Sequence, residues 1–138
     1  MESLSVALRI FGDELDPEQI SGLLGQAPTR SSVKGEETIG RVTGERRVQR
    51  TGMWILSEEK DNPAREDLDS VVLSVLTQTS SDVELWNQIR ERYSVDILCG
   101  LFLSSADDHF GLSNLTLAEL KKRGLTINFD VYCAKLQA

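Results

Sequence analysis

The sequence predicts an α+β fold: a single-domain two-layer sandwich in which a mixed sheet of four to five strands carries three to four helices, packed mainly on one face. Three observations lead there. Residues 4–11 and 125–133 alternate apolar and polar side chains, the two-residue period of a strand half buried on a sheet. Between them run segments whose apolar residues recur every three or four positions, as in helices that each need one stripe covered. One-faced strands and one-striped helices satisfy each other as two packed layers.

Taken in order, the first strand, residues 4–11, sets Leu4, Val6, Leu8 and Ile10 on one face and Ser5, Ala7, Arg9 and Phe11 on the other. Asp16-Pro17 then opens a helix: Asp16 can cap free amides, and Pro17 lacks an N–H where none is needed. Ile20, Leu23 and Leu24 form its stripe and Gly25 ends it. Periodicity is weak from 26 to 50, although 41–50 could pair by hairpin with 51–57. Residues 52–57 read as a short strand, with Met53 and Ile55 on one face and Trp54 and Leu56 on the other. After a polar turn over 58–65, Leu68, Val71, Val72, Val75 and Leu76 mark a helix near 66–78.

Ser81 and Glu84 have capping-box spacing and predict another helix, buried through Leu85, Trp86, Ile89 and Tyr93. Residues 95–104 form the most apolar strand, suited to a central position covered on both faces. Thr116 and Glu119 suggest a further capping box, with Leu115 stapled to Leu120 and Gly124 as the stop. The last strand, 125–133, places Leu125, Ile127, Phe129, Val131 and Cys133 opposite Thr126, Asn128, Asp130 and Tyr132.

The length of 138 residues fits one globular domain, 1–138, burying roughly two-thirds of its unfolded surface. With 40% hydrophobic and 27% charged residues, the composition excludes a disordered or low-complexity chain. No apolar run approaches the roughly 20 residues needed to span a bilayer, and the N-terminus lacks a signal-peptide pattern. A cytoplasmic protein with no membrane association is expected. Cys99 and Cys133 sit in apolar runs and read as reduced core cysteines. Because the chain has one histidine and two scattered cysteines, no zinc site is expected, and no cofactor.

Charge is unevenly spread. Residues 30–50 hold six basic and three acidic residues, a local +3, which leaves nine basic and nineteen acidic elsewhere, or −10. The net charge of −7 argues against nucleic acid as a partner, since duplex phosphates would be repelled. An acidic body with a basic island suits a charged protein partner, above all a basic one.

No catalytic set is spelled out. Asp107, Asp108 and His109 fall between a strand and a helix, where a base or metal ligand could sit, but their spacing fits an ordinary polar loop. Lys34-Gly35-Glu36 and Thr43-Gly44-Glu45-Arg46 lack the pattern of a phosphate loop and read as turns. The chain is therefore expected not to be an enzyme. If the helices cover the uniformly apolar faces, the other sheet face presents Arg9, Trp54, Leu98, Phe102, Asn128, Asp130 and Tyr132, residue types common at binding hot spots. The sequence favours the 30–50 loop folding over this face, with Trp54 and Tyr132 in a second small core and Arg46, Arg47 or Arg50 paired to Asp130. An open binding face is the other reading.

The opening strand with its DPEQI helix start, Ala27-Pro28-Thr29, Lys34-Gly35-Glu36, Thr51-Gly52-Met53-Trp54 and Phe129-Asp130-Val131-Tyr132 together resemble a bacterial family known as domain of unknown function 4279. The resemblance spans nearly the whole chain and implies no activity. It points to Pro28, Thr29, Gly35, Glu36, Trp54, Asp130 and Tyr132 as positions to follow. The expected function is that of a non-enzymatic intracellular protein-binding module, of the immunity type that neutralises a toxin. The alternative is a small-ligand or nucleotide-binding domain with residues 30–50 as its lid. The candidate binding residues are Arg30, Gly35, Glu36, Arg46, Arg47, Arg50, Trp54, Asp130 and Tyr132.

Overall fold

The structure, a computed structural model, describes residues 1–40, 42–105 and 108–133; Arg41 and Asp107 lie outside them. Five strands form one mixed sheet in the order β2-β5-β1-β6-β7: β1 (Ser3–Gly12), β2 (Arg30–Ser32), β5 (Gly52–Asp61), β6 (Ser94–Phe102) and β7 (Thr126–Tyr132). All pairings are antiparallel except β6 with β7. A separate two-stranded ribbon joins β3 (Glu37–Ile39) to β4 (Arg46–Val48). Among the described residues four helices complete the α+β fold: α1 (Pro17–Leu24), α2 (Asp67–Thr77), α3 (Val83–Arg92) and α4 (Asn114–Arg123).

The alternation in β1 decides which sheet face is covered. Leu4, Val6, Leu8 and Ile10 are buried, and the register sets Leu101, Cys99 and Ile97 of β6 beside the first three. On the other flank Leu56 stands beside Leu8, and Trp54 beside Ile10. Ile20, Leu24, Leu68, Val72, Val75, Leu76, Trp86 and Ile89 of the helices close the same cluster. Burying these side chains at about 25 cal/mol per Å² of apolar surface is the main force joining the layers.

Helix ends follow local chemistry, with two departures from expectation. Asp16 caps α1 through Glu18 N, and Gly25 ends it at φ 73°. Helix α3 is capped by Asp82, not Ser81, since the Asp82 carboxylate accepts from Glu84 N and Leu85 N. Helix α4 is capped by Ser113, whose hydroxyl accepts from Thr116 N, so Thr116 is buried inside the helix and Leu115 is exposed instead of forming a staple.

Strand β5 runs four residues beyond the expected 52–57 because Glu58 to Asp61 pair with β1. Glu58 looked like turn material, yet its carboxylate on the helix side accepts Ser74 Oγ at 3.0 Å and Gln78 Nε2 at 2.6 Å from α2 and its end. Strand β4 pairs with β3 and not with β5; the neighbour of β5 is the three-residue β2. Strand β6 lies inside the sheet but is covered on one face only, Phe102 on the other being 46% exposed.

Candidate functional site

The residues alternating with the core make the second sheet face, and none of the helical core residues lies on it. Reading across the register from β5 to β7, one row is Glu59, Ser5, Gly100 and Asp130, and the next is Ser57, Ala7, Leu98 and Asn128. Small side chains therefore form a floor in the middle. A Cβ added at Gly100 would come within 2.8 Å of Ser5 Oγ, so the floor is tight as well as low. Above it lies a groove of about 460 Å³ lined by Ser5, Ala7, Arg9, Thr29, Arg30, Ile55, Ser57, Glu59 and Leu98.

Two arginines border the groove. Arg9 donates Nε to Asp96 Oδ1 at 2.8 Å and Nη2 to Asp96 Oδ2 at 2.7 Å, while Asn128 Nδ2 donates to the same carboxylate at 3.0 Å. The hydrogen bond to Asp96 raises the Arg9 pKa, against a desolvation that lowers it, and the charges of Asp96 and Asp130 add to the rise. Arg30 forms no ion pair among the described residues and flanks buried Ile55 across the β2–β5 register. Thr29 fastens this border, since Thr29 Oγ1 accepts Ser57 N at 2.9 Å and Thr29 N donates to Ile55 O at 2.7 Å. At the far corner the Phe102 and Tyr132 rings stack with centroids 5.0 Å apart and planes 18° from parallel, Tyr132 being 53% exposed.

The expected site residues divide among three places. Asp130 and Tyr132 stand on the open face together with Arg9, Leu98, Phe102 and Asn128. Arg30 borders the groove from the opposite edge. Trp54 is the main correction: it is fully buried on the helix side, and its Nε1 donates to Ser21 Oγ of α1 at 3.0 Å. Sequence alternation paired Trp54 with Leu56 but could not say which face of β5 meets the core; the Ile10–Trp54 register settles it.

Gly35 and Glu36 build the root of the ribbon. Gly35 adopts φ 86°, its N–H donates to Gln49 O at 2.8 Å, and the Glu36 carboxylate accepts Val33 N at 3.3 Å. Arg46, Arg47 and Arg50 are exposed and form no ion pair with Asp130. Lys34 is held instead by Asp13 at 3.1 Å. The loop does not cover the open face: of the described residues between 30 and 50 only Arg30 lines the groove, because Gly35, Glu36 and Gln49 close their hydrogen bonds at the root of the β3–β4 ribbon.

Sequence reasoning missed Asp96, Ser57 and Glu59 as members of this face. Asp96 could have been found, since it alternates with Val95 and Ile97; Ser57 closed the expected strand without being assigned to a face, and Glu59 was hidden by the turn reading. Elsewhere, Asp108 is occupied structurally, accepting Ser104 N at 2.9 Å and the Met1 ammonium at 3.0 Å. Burial pushes the Cys99 thiol up to about 12, which keeps it an inert core group. Among the described residues no group of three or more His, Cys, Asp or Glu side chains is placed to hold a metal ion, and no helix is long and apolar enough to cross a membrane.

Comparison with known proteins adds the family. No curated protein and no solved structure matches the chain. A family model described as a domain of unknown function (DUF4279) matches residues 2–134, and the chain belongs to that family.

Proposed function

We propose that the protein is a non-enzymatic, cytoplasmic protein-binding module whose recognition surface is the open face of the five-stranded sheet. One observation carries this reading: the helices cover a single face, and the other is a concave surface with a small-residue floor and an exposed Phe102–Tyr132 stack at its rim. Exposed aromatic area is a common component of binding hot spots. The acidic body, with Glu59, Asp61 and Asp130 around this face, suits a basic partner protein, as an immunity-type inhibitor of a toxin would require.

The test is capture of a stoichiometric partner by the tagged protein, compared with Phe102→Ala/Tyr132→Ala. The double variant is expected to lose the partner while losing little of its unfolding midpoint, since Phe102 and Tyr132 are 46% and 53% exposed. Undiminished capture by the double variant refutes the reading.

A second reading is favoured by the groove itself, whose Arg9 and Arg30 could grip a small anionic ligand such as a nucleotide. Thermal-shift screening separates the two, because a ligand at 100 times its dissociation constant adds about 2.7 kcal/mol of stability. A nucleotide that stabilises the native protein but not Arg30→Ala would favour the small ligand.

A further inference from the structure

The two edges of the sheet differ. Strand β2 offers three residues, whereas β7 offers seven and, among the described residues, pairs only with β6. Long edges are usually blunted by lysine, proline or a bulge. Strand β7 has no lysine or proline, and its single charge is Asp130. It exposes apolar surface on the helix side, where Phe129 is 39% and Val131 48% accessible.

The ladder shows which backbone groups face outward. The Tyr132 carbonyl accepts Leu103 N at 2.7 Å, so the peptide groups of Tyr132 point toward β6. By strand alternation those of Thr126, Asn128 and Asp130 do the same, and the N–H and C=O groups of Ile127, Phe129 and Val131 point away from the sheet. The residues with outward backbone groups are therefore the apolar ones.

The strand is also self-complementary about Phe129. Antiparallel to itself on a two-fold axis there, Phe129 meets Phe129 of the second copy, Ile127 meets Val131, Asn128 meets Asp130, and Thr126 meets Tyr132. This register pairs the whole strand and satisfies the outward groups of three residues in each copy. It also sets each Asp130 carboxylate against an Asn128 amide, whereas an axis at Asp130 would oppose two carboxylates. We propose that the protein forms a two-fold homodimer through antiparallel β7–β7 pairing, which makes one ten-stranded sheet. A second copy is the occupant because this register sets apolar residues opposite apolar residues at 127, 129 and 131 and gives the single carboxylate of each strand an amide neighbour in place of a like charge.

Light scattering over a concentration series of the intact chain tests it, with twice the 15.4 kDa chain mass expected. Val131→Pro removes an N–H that the monomer's own ladder does not use, and Val131→Lys adds an edge charge; each should return the protein to monomer mass with its circular dichroism spectrum intact. Phe129→Cys in a Cys133→Ser background should form an interchain disulfide, because residues of a hydrogen-bonded antiparallel pair lie about 5.5 Å apart, within the span of that bond. Asn128→Cys should not. Monomer mass throughout the series, a dimer that survives both Val131 variants, or crosslinking at 128 in place of 129 would each overturn the proposal. Val131 and Phe129 lie on the helix side, so this result reads independently of the open-face variants.

Discussion

Arg9 and Asp96 stand opposite each other on β1 and β6 and share two hydrogen bonds, at 2.8 and 2.7 Å, in the planar fork that only arginine can make. Arg9→Ala leaves a half-buried carboxylate with only Asn128 as a side-chain donor, and should cost about 1–3 kcal/mol in urea unfolding. Arg9→Lys should recover only part of that, since an ammonium cannot bridge both oxygens. Full recovery by lysine would show that charge alone matters at this position.

Trp54 belongs to the packing of α1 on the sheet. Trp54→Phe removes the bond to Ser21 and part of a buried ring, with an expected loss of roughly 1–3 kcal/mol by chemical denaturation. Binding by the open face should be unchanged wherever the variant remains folded. A variant with native stability and lost binding would return Trp54 to the recognition surface.

Acid should destabilise the fold through a defined set of carboxylates. Hydrogen bonds from Arg123 and then Lys122 hold Glu119 below its ordinary value of 4.5. The Ala64 amide, followed by Lys60, holds Asp67 below 3.8. Asp69 is also lowered, because bonds from Ser113 and Thr116 outweigh an opposing desolvation. Groups depressed in the native state add stability that is fully present above their unfolded values and is lost as pH falls through the native ones. Melting temperature should therefore be insensitive to these groups at neutral pH and fall below about pH 4.5, with a shallower fall in Glu119→Gln.

Cys99 should resist alkylation in the native protein. Its thiol is buried and pushed up to about 12, so almost no thiolate is present near neutral pH. Mass spectrometry after iodoacetamide treatment should find Cys99 unmodified until denaturant is added. Rapid native labelling would mean that the β6 region opens far more often than its burial implies.

The elements most legible in the sequence were those whose period reported a single face. The stripe of α2 and the alternation of β1 are visible because water on one side and core on the other impose a period. Trp54 was misplaced because a four-residue alternation such as Met53-Trp54-Ile55-Leu56 is apolar on both sides, and only pairing with Ile10 selects one. Glu58 and Glu59 were hidden because their strand character comes from pairing with β1, while hydrogen bonds from Ser74 and Gln78 accommodate the Glu58 carboxylate and solvent that of Glu59. Strands β2 to β4 are three residues each, too short for periodicity. The open face was partly visible through Arg9, Asp130 and Tyr132, yet its floor depends on small residues, Ser5, Ala7, Ser57 and Gly100, whose significance appears only when the register sets them side by side.

The position of β1 has a consequence in time. It precedes every other strand in synthesis but lies in the middle of the sheet, with Ser3 paired to both Asp61 and Phe102. The emerging chain therefore holds its central strand unpaired until β5 has been made, and one side of it stays open until β6 follows. Such long loops must close before pairing is rewarded, which slows folding, so a nascent chain stalled between β5 and β6 would display half a sheet, with the β1 edge meant for β6 open to any other strand within reach.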